Sequence, residues 1–239
     1  AVEVDAVGRR RRRLSLTPPT KGQDLRLTLD LGAQREAQLL LGGRKGVIVA
    51  MDVKDGAVKV LYSAPSYDPN PLTWGVSSGE WGRLLNDPDR PMMNRAISGA
   101  YPPGSTFKAV PALAALVENV VTPKTTVFCP GQFKLGNRVF RCWKRGGHGT
   151  VSLVSALKDS CDVYFYQVGL WLGIDRLIKW SSRLGVGQAT GIDLPGESRG
   201  NLAGREWKEK RFSESWFHGD TVNYSIGQGF LLMTPLQLA

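Results

Sequence analysis

Ser105-Thr106-Phe107-Lys108 is the stretch whose residue types and spacing most directly suggest chemistry. A serine three residues before a lysine shares one helix face with it, about one turn away. That spacing puts an amine beside a hydroxyl, and a serine hydroxyl is a weak nucleophile until a neighbouring base takes its proton. Tyr101-Pro102-Pro103-Gly104 comes immediately before. Such a lead-in cannot continue a helix from upstream, so a helix is predicted to begin near Ser105. Unpartnered N–H groups at a helix start can face a developing oxyanion. The plain alternative is an N-cap serine with a solvated lysine one turn on.

The pattern is not unique. Ser155-Ala156-Leu157-Lys158 repeats it, inside a predicted helix with no helix breaker before the serine, and reads as an ordinary helix surface. Gly75-Val76-Ser77-Ser78-Gly79 fits a hydrolase elbow, which needs a buried strand before it. Pro69-Asn70-Pro71 stands there instead, so this segment reads as a surface loop.

A second set is Cys129, Cys142, His148 and Cys161, spaced Cys-x12-Cys-x5-His-x12-Cys. Three thiolates and an imidazole make a closed tetrahedral zinc set. A disulfide with one free thiol, or three buried thiols, are the competing readings. The odd cysteine count argues against a pure disulfide scheme. His218 has no ligand partners in sequence and reads as a surface or groove residue.

These residues need a scaffold. A chain of 239 residues can bury one good core, or a core with a small appendage. Its apolar runs, such as Val47-Ile48-Val49-Ala50-Met51, are far too short to span a bilayer. Of the net charge of +10, half comes from Arg9 to Arg13, and the rest is scattered without interleaved aromatics. That distribution argues against nucleic-acid binding and for a solvated basic segment, facing water or an anionic lipid or polymer.

Residues 1–22 read as a linker or the end of another module, Arg-rich and then Thr17-Pro18-Pro19-Thr20. Apolar alternation predicts a strand over Asp24–Leu29, and Asp30 with Gly42-Gly43 brackets a helix over Asp30–Leu41. Gly46–Met51 and Ala57–Tyr62, joined by Asp55-Gly56, predict a hairpin. A long loop is expected from Ala64 to Arg95, a helix over Ser105–Glu118, and an irregular loop over Pro123–Gly149. Helices are expected over Val151–Asp159, Asp162–Leu172 and Asp175–Leu184, with loop over Gly185–Gly200 and another helix starting near the last residues. An antiparallel sheet followed by a cluster of helices is an α+β pattern, with no regular β-α-β alternation.

Taken in order, several segments together resemble class B penicillin-binding proteins of the elongation type. They are Leu27-Thr28-Leu29-Asp30 with Gln34, Ala64 to Asn70, Asn94-Arg95-Ala96, Tyr101 to Lys108, and Ser160-Cys161-Asp162 with Tyr164 to Gln167. Thr190 to Leu194, Asn201, Arg205 to Lys208, Gly219-Asp220-Thr221 and Ile226 to Gly229 complete the series. The resemblance runs over nearly the whole chain. It implies the penicillin-binding/β-lactamase-like transpeptidase fold, an antiparallel sheet with a helical subdomain. Residues 1–22 would be the end of an N-terminal pedestal, and 23–239 a partial transpeptidase domain.

The family's first motif, Ser-x-x-Lys, maps to Ser105 and Lys108; its second maps to Ser160 and Asp162. The third, Lys-Ser/Thr-Gly, does not occur in the sequence. The expectation is therefore an incomplete domain, weakly active and marginally stable alone, with a membrane anchor and a final part lying outside it. The resemblance implies acyl transfer from peptidoglycan stem peptides through an acylated Ser105. Lys108 would be the base and Ser160 the relay, and β-lactams would act as mimics of the peptide end. It also implies zinc on the cysteine–histidine set, a SEDS-type glycosyltransferase as partner, and a place at the periplasmic face of a bacterial inner membrane. Asp162 departs from the asparagine of the wider superfamily. It is expected to act directly in catalysis, to hold a nearby cation or favour a protonated lysine, or simply to cap the helix that begins there. A serine β-lactamase and a non-catalytic β-lactam sensor or scaffold are the competing functions.

Overall fold

The computed structural model describes every residue except 16, 17 and 19, so the Thr17-Pro18-Pro19-Thr20 linker reading lies partly outside the described residues. Strands β1 (Val2–Val4) and β2 (Arg10–Arg13) form an antiparallel ribbon with Val2 opposite Arg13. The basic run is thus a strand, exposed along its length.

Residues 24–29 do not form the expected strand. The alternation is there, but a strand needs a ladder of backbone pairs. Here Thr28 Oγ1 donates to Val58 O at 2.8 Å and Asp30 N to Lys59 O at 2.9 Å, while Leu25 is 84% exposed. Helix α1 (Leu31–Leu41) follows as its caps predict: Ala33 N donates to Asp30 Oδ1 at 2.8 Å, and Gly42 ends it at φ 53°. The hairpin of β3 (Gly46–Met51) and β4 (Val58–Ala64) also matches, with Ile48 opposite Tyr62.

The segment between Ala64 and Arg95 holds two helices where a loop was expected, α2 (Asn70–Trp74) and α3 (Ser78–Asn86). Ser77 and Glu80 form a capping box at the start of α3, a Ser-x-x-Glu signal visible in the sequence. Gly75 to Ser77 therefore joins two helices, and the hydrolase-elbow pattern has a helix before it and no strand. After α4 (Arg95–Ser98), Gly104–Lys108 forms a 3₁₀ turn leading into α5 (Ala109–Val117). The predicted single helix is thus two pieces.

The expected irregular loop over 123–149 is instead two antiparallel pairs. Strand β5 (Thr126–Cys129) pairs with β8 (Gly149–Ser152), and β6 (Gln132–Leu135) with β7 (Arg138–Arg141). Each strand is four residues long, too short for periodicity to stand out among glycines and charges. Helices α6 (Leu153–Lys158), α7 (Asp162–Leu172) and α8 (Ile174–Arg183) follow. Residues 185–200 are loop as expected, and α9 (Arg205–Phe212), α10 (His218–Tyr224) and α11 (Pro235–Leu238) complete the chain.

Helix α7 is the axis of the core. Apart from Asp162 and Gln167 it is apolar, and most of it is buried: Val163, Tyr164, Phe165, Tyr166, Val168 and Leu172 all lie inside. Gly169 lets α10 close onto it, since a Cβ there would lie 2.4 Å from Ser225 Cβ. Mixed helices and antiparallel strands agree with the α+β class. Among the described residues, no helix is long and apolar enough to cross a membrane.

Candidate active site

The serine-bearing turn is held from behind by the segment that follows α10. Gly104 N donates to Gly227 O at 2.9 Å. A Cβ on Gly227 would fall 2.2 Å from Gly104 O, and its φ of +71° also favours glycine. Phe107, buried between the serine and the lysine of the motif, meets the edge of Tyr224 at 5.6 Å. The 3₁₀ turn leaves Ser105 exposed and buries Lys108, which is 1% exposed.

The buried Lys108 Nζ reaches across to α7. It donates to Ser160 O at 2.9 Å, to Ser160 Oγ at 3.0 Å and to Asp162 Oδ1 at 2.5 Å. Three acceptors match the three protons of an ammonium. Ser160 presents both of its oxygens to the lysine because its backbone is left-handed, φ +51°, a conformation costly for a residue with a Cβ. The cost of that backbone is offset where it sits: Cys161 N donates to Ala156 O at 2.8 Å, ending α6 and starting α7.

Asp162 is not a cap. The cap position of α7 is Cys161, and the carboxylate of Asp162 is otherwise engaged. One oxygen takes Lys108 Nζ; the other takes Trp143 N at 3.0 Å. Both oxygens accept from donors, so an amide at this position would turn its NH₂ toward one of them. This is a physical reason for aspartate at residue 162, and it answers which cation the charge holds.

The structure brings Cys129, Cys142, His148 and Cys161 together, with all four potential ligand atoms within 4.8 Å of one another. His148 Nδ1 lies 3.7 Å from Cys129 Sγ and 3.6 Å from Cys142 Sγ. A tetrahedral zinc with ordinary Zn–S and Zn–N lengths would set that separation at about 3.6 Å. The donor set and its spacing therefore fit a metal bound through Nδ1, the other ring nitrogen being buried without a hydrogen-bond partner among the described residues. All three cysteines are free, and burial pushes the Cys161 thiol up to about 12. A thiol so placed ionises at neutral pH only with a cation beside it.

The cluster and the site share a wall. Cys142 precedes Trp143, whose indole Nε1 donates to Asp159 O and Ser160 O, each at 3.1 Å, while its ring meets His148 at 5.4 Å. In the sequence Trp143 carries no signal beyond its place beside Cys142. The second Ser-x-x-Lys behaves as expected: Ser155 Oγ accepts from Ser152 N at 2.8 Å, capping α6, and Lys158 is exposed. His218 is exposed at the start of α10, away from the metal-ligand set.

Comparison with known proteins places the chain by family and fold. The model of the penicillin binding protein transpeptidase domain matches residues 46–239. The peptidoglycan D,D-transpeptidase MrdA of Escherichia coli K12 is 45% identical over 240 residues, covering 100% of this chain and 38% of the relative. The chain thus spans well under half the length of that protein. Among solved structures, PBP2 of Helicobacter pylori, in a complex with MreC, superposes with a TM-score of 0.88 at 38% identity, over 99% of this chain and 45% of that one. PBP2 of Pseudomonas aeruginosa, in complex with WCK 5153, gives 0.83 at 44% identity, over 89% and 49%. The family model over residues 46–239, with a relative matched along the whole of this chain, shows that the chain belongs to the penicillin-binding protein transpeptidase family.

Proposed function

We propose that this chain is the serine-bearing part of an elongation-type peptidoglycan D,D-transpeptidase, with Ser105 as nucleophile and Lys108 as base. The observation that carries the reading is the buried Lys108 Nζ, ringed by Ser160 and Asp162 one turn from an exposed serine. Ser105 Oγ attacks the D-Ala-D-Ala carbonyl and its proton passes to Lys108 acting as a neutral amine. The tetrahedral adduct collapses, the peptide C–N bond breaks, and Ser160 Oγ, 3.0 Å from Nζ, passes the proton to the departing D-alanine amine. An amine of a neighbouring stem peptide then attacks the ester, forms the cross-link and returns the proton to Ser105. The Ser105 N–H is one oxyanion donor; the other would come from the Lys-Ser/Thr-Gly strand that this sequence does not contain. Residues 1–22 would belong to the pedestal and 23–239 to the transpeptidase domain.

Zinc on Cys129, Cys142, His148 and Cys161 would be structural, because four protein ligands leave no open position. It would cross-link β5, the start of α7 and the segment after β7, and so brace Ser160 and Asp162. Purified protein is expected to hold about one zinc per chain, lost in Cys142→Ala. Metal-free protein with a Cys129–Cys142 disulfide would refute it.

The complete protein is expected at the periplasmic face of the inner membrane, anchored there by a segment outside this chain. A SEDS-type glycosyltransferase is its proposed partner. The complex of the Helicobacter relative with MreC supports a place in an elongation assembly that shapes the cell. Labelled penicillin tests the enzyme reading in a chain extended to the full length of the relatives. Stable label lost in Ser105→Ala is the expected result. Rapid turnover of the label would mark a β-lactamase, label without cross-linking a sensor or scaffold, and no label would sink the reading.

A further inference from the structure

A second buried lysine lies outside this chemistry. Lys208 on α9 is 3% exposed. Its Nζ sits 2.7 Å from Asp220 Oδ2 and 3.5 Å from Glu214 Oε2, over the Phe217 ring at 4.3 Å and near Phe230 at 5.7 Å. A buried ammonium is costly unless paired and bonded, so this is a built site and not a solvated side chain. Asp220 also accepts from Phe217 N at 2.9 Å, which ties the carboxylate to the first turn of α10. The Trp216 indole donates to Thr221 Oγ1 at 2.9 Å and pins that same turn.

From there α10 runs about 10 Å, at 1.5 Å per residue, to the back of the serine turn. Its last residue, Tyr224, is 1% exposed and presses on Phe107; Gly227, three residues on, takes the Gly104 N–H. The other flank of α10 is closed by the Gly169–Ser225 contact with α7, the helix that carries Asp162. The helix is therefore fixed at its start by a charge pair and at its end by the residues flanking Ser105. Packed interiors transmit displacements of this kind because they have no voids to absorb them.

We infer that Lys208 is a positioning residue for the nucleophile, which with Asp220 sets the seat of α10 and through it the placement of the Gly104–Lys108 turn. This inference rests on Ser105 being the acylated serine. Lys208 touches none of the reacting groups. Removing its charge leaves Asp220 held by Phe217 N alone and lets the first turn of α10 shift.

The test separates acylation from binding and from stability. In the full-length protein, the first-order acylation constant of Ser105 by a labelled penicillin is measured at saturation, together with the dissociation constant of the non-covalent complex and the melting temperature. Lys208→Met keeps the aliphatic stem. The expected result is a fall of about 10- to 100-fold in the acylation constant of the folded protein, the scale of a small misplacement of reacting groups, with non-covalent binding changed less than about threefold. Asp220→Asn, which keeps an acceptor for both N–H groups, should fall by at least about threefold on the same scale. Acylation within twofold of wild type in either folded variant, whatever the loss in melting temperature, would overturn the positioning role. So would failure of both variants to fold, since the pair would then hold the fold and not the turn. If wild-type protein itself takes no label, the acyl-enzyme reading fails, and this inference with it.

Discussion

Ser105–Lys108 and Ser155–Lys158 carry the same pattern and reach opposite ends. The first lysine is 1% exposed and spends its three protons on Ser160 and Asp162; the second is exposed to water. The first serine is exposed at the mouth of a 3₁₀ turn; the second is turned back onto its own helix, capping Ser152. Spacing sets which residues share a face. Chemistry depends on what the lysine is buried against, and that is decided by residues more than fifty positions downstream. The two copies even meet, since α6, which Ser155 caps, delivers Ser160 to the other lysine.

The sharpest way to break the comparison is to remove each serine. Ser105→Ala is expected to abolish stable penicillin labelling of the extended chain. Stability should stay within about 0.5 kcal/mol of wild type, because the side chain is exposed. Ser155→Ala should keep the label. Labelling that survives in Ser105→Ala and disappears in Ser155→Ala would reverse the assignment.

Removing each lysine comes next. Lys108→Met strands the Asp162 carboxylate, 9% exposed, with Trp143 N as its remaining donor. Breaking a buried pair in this way costs about 3–5 kcal/mol, measured by denaturant unfolding, and labelling should be lost with it. Lys158→Met, at an exposed position, should change stability by no more than about 0.5 kcal/mol. Equal losses in the two variants would show that the burial difference has no energetic content.

Asp162→Asn sharpens the same contrast at lower amplitude. The shape is retained, but the amide NH₂ must face Lys108 Nζ or Trp143 N, and one buried donor is left unmatched. The cost expected is about 1–3 kcal/mol, with labelling reduced and not abolished. A variant as stable as wild type would mean that the two carboxylate contacts are dispensable.

How much of this was legible in the sequence divides along a physical line. Where a signal is local, sequence and structure agree: Asp30 and Gly42 bracket α1, Asp55-Gly56 turns the β3–β4 hairpin, and the proline-glycine lead-in marks the serine turn. The cysteine–histidine set was also legible, because residue type and count carry it. What failed needed a partner distant in sequence. The short strands β5 and β8 are defined by each other across the segment between them, and residues 24–29 alternate like a strand yet lack the ladder. Helix α3 is an exception, since its Ser77–Glu80 capping box is a local signal inside a stretch rich in loop residues. The sequence leaves Asp162 open as catalytic group, cation holder or cap, and only the packing of α7 against the serine turn rules out the cap. Trp143 and Lys208 carry no local signal, because their roles come wholly from what they are buried or bonded against.

Ser155→Ala, with a smaller effect on labelling, is the most diagnostic change in the copy whose lysine is exposed. In Ser155→Ala the Ser152 N–H and the start of α6 lose the hydroxyl that receives them at 2.8 Å, while Ser152 Oγ still faces residue 155 N at 3.4 Å. Half of a reciprocal cap is removed, so about 1 kcal/mol of stability should go. A six-residue helix cannot hold its first turn by propensity alone. Fraying at Leu153 is nevertheless limited, because Leu153 and Ala156 are buried in the core and anchor the helix from its inner face. Hydrogen exchange should therefore quicken at the first turn of α6 and remain slow at Cys161 N, whose bond to Ala156 O closes the far end. Penicillin labelling should stay within about twofold of wild type, a change of less than 0.5 kcal/mol. If exchange at Cys161 quickens as well and labelling falls tenfold, the cap on α6 is part of the machinery that seats Ser160, and the two copies of the motif act as one unit.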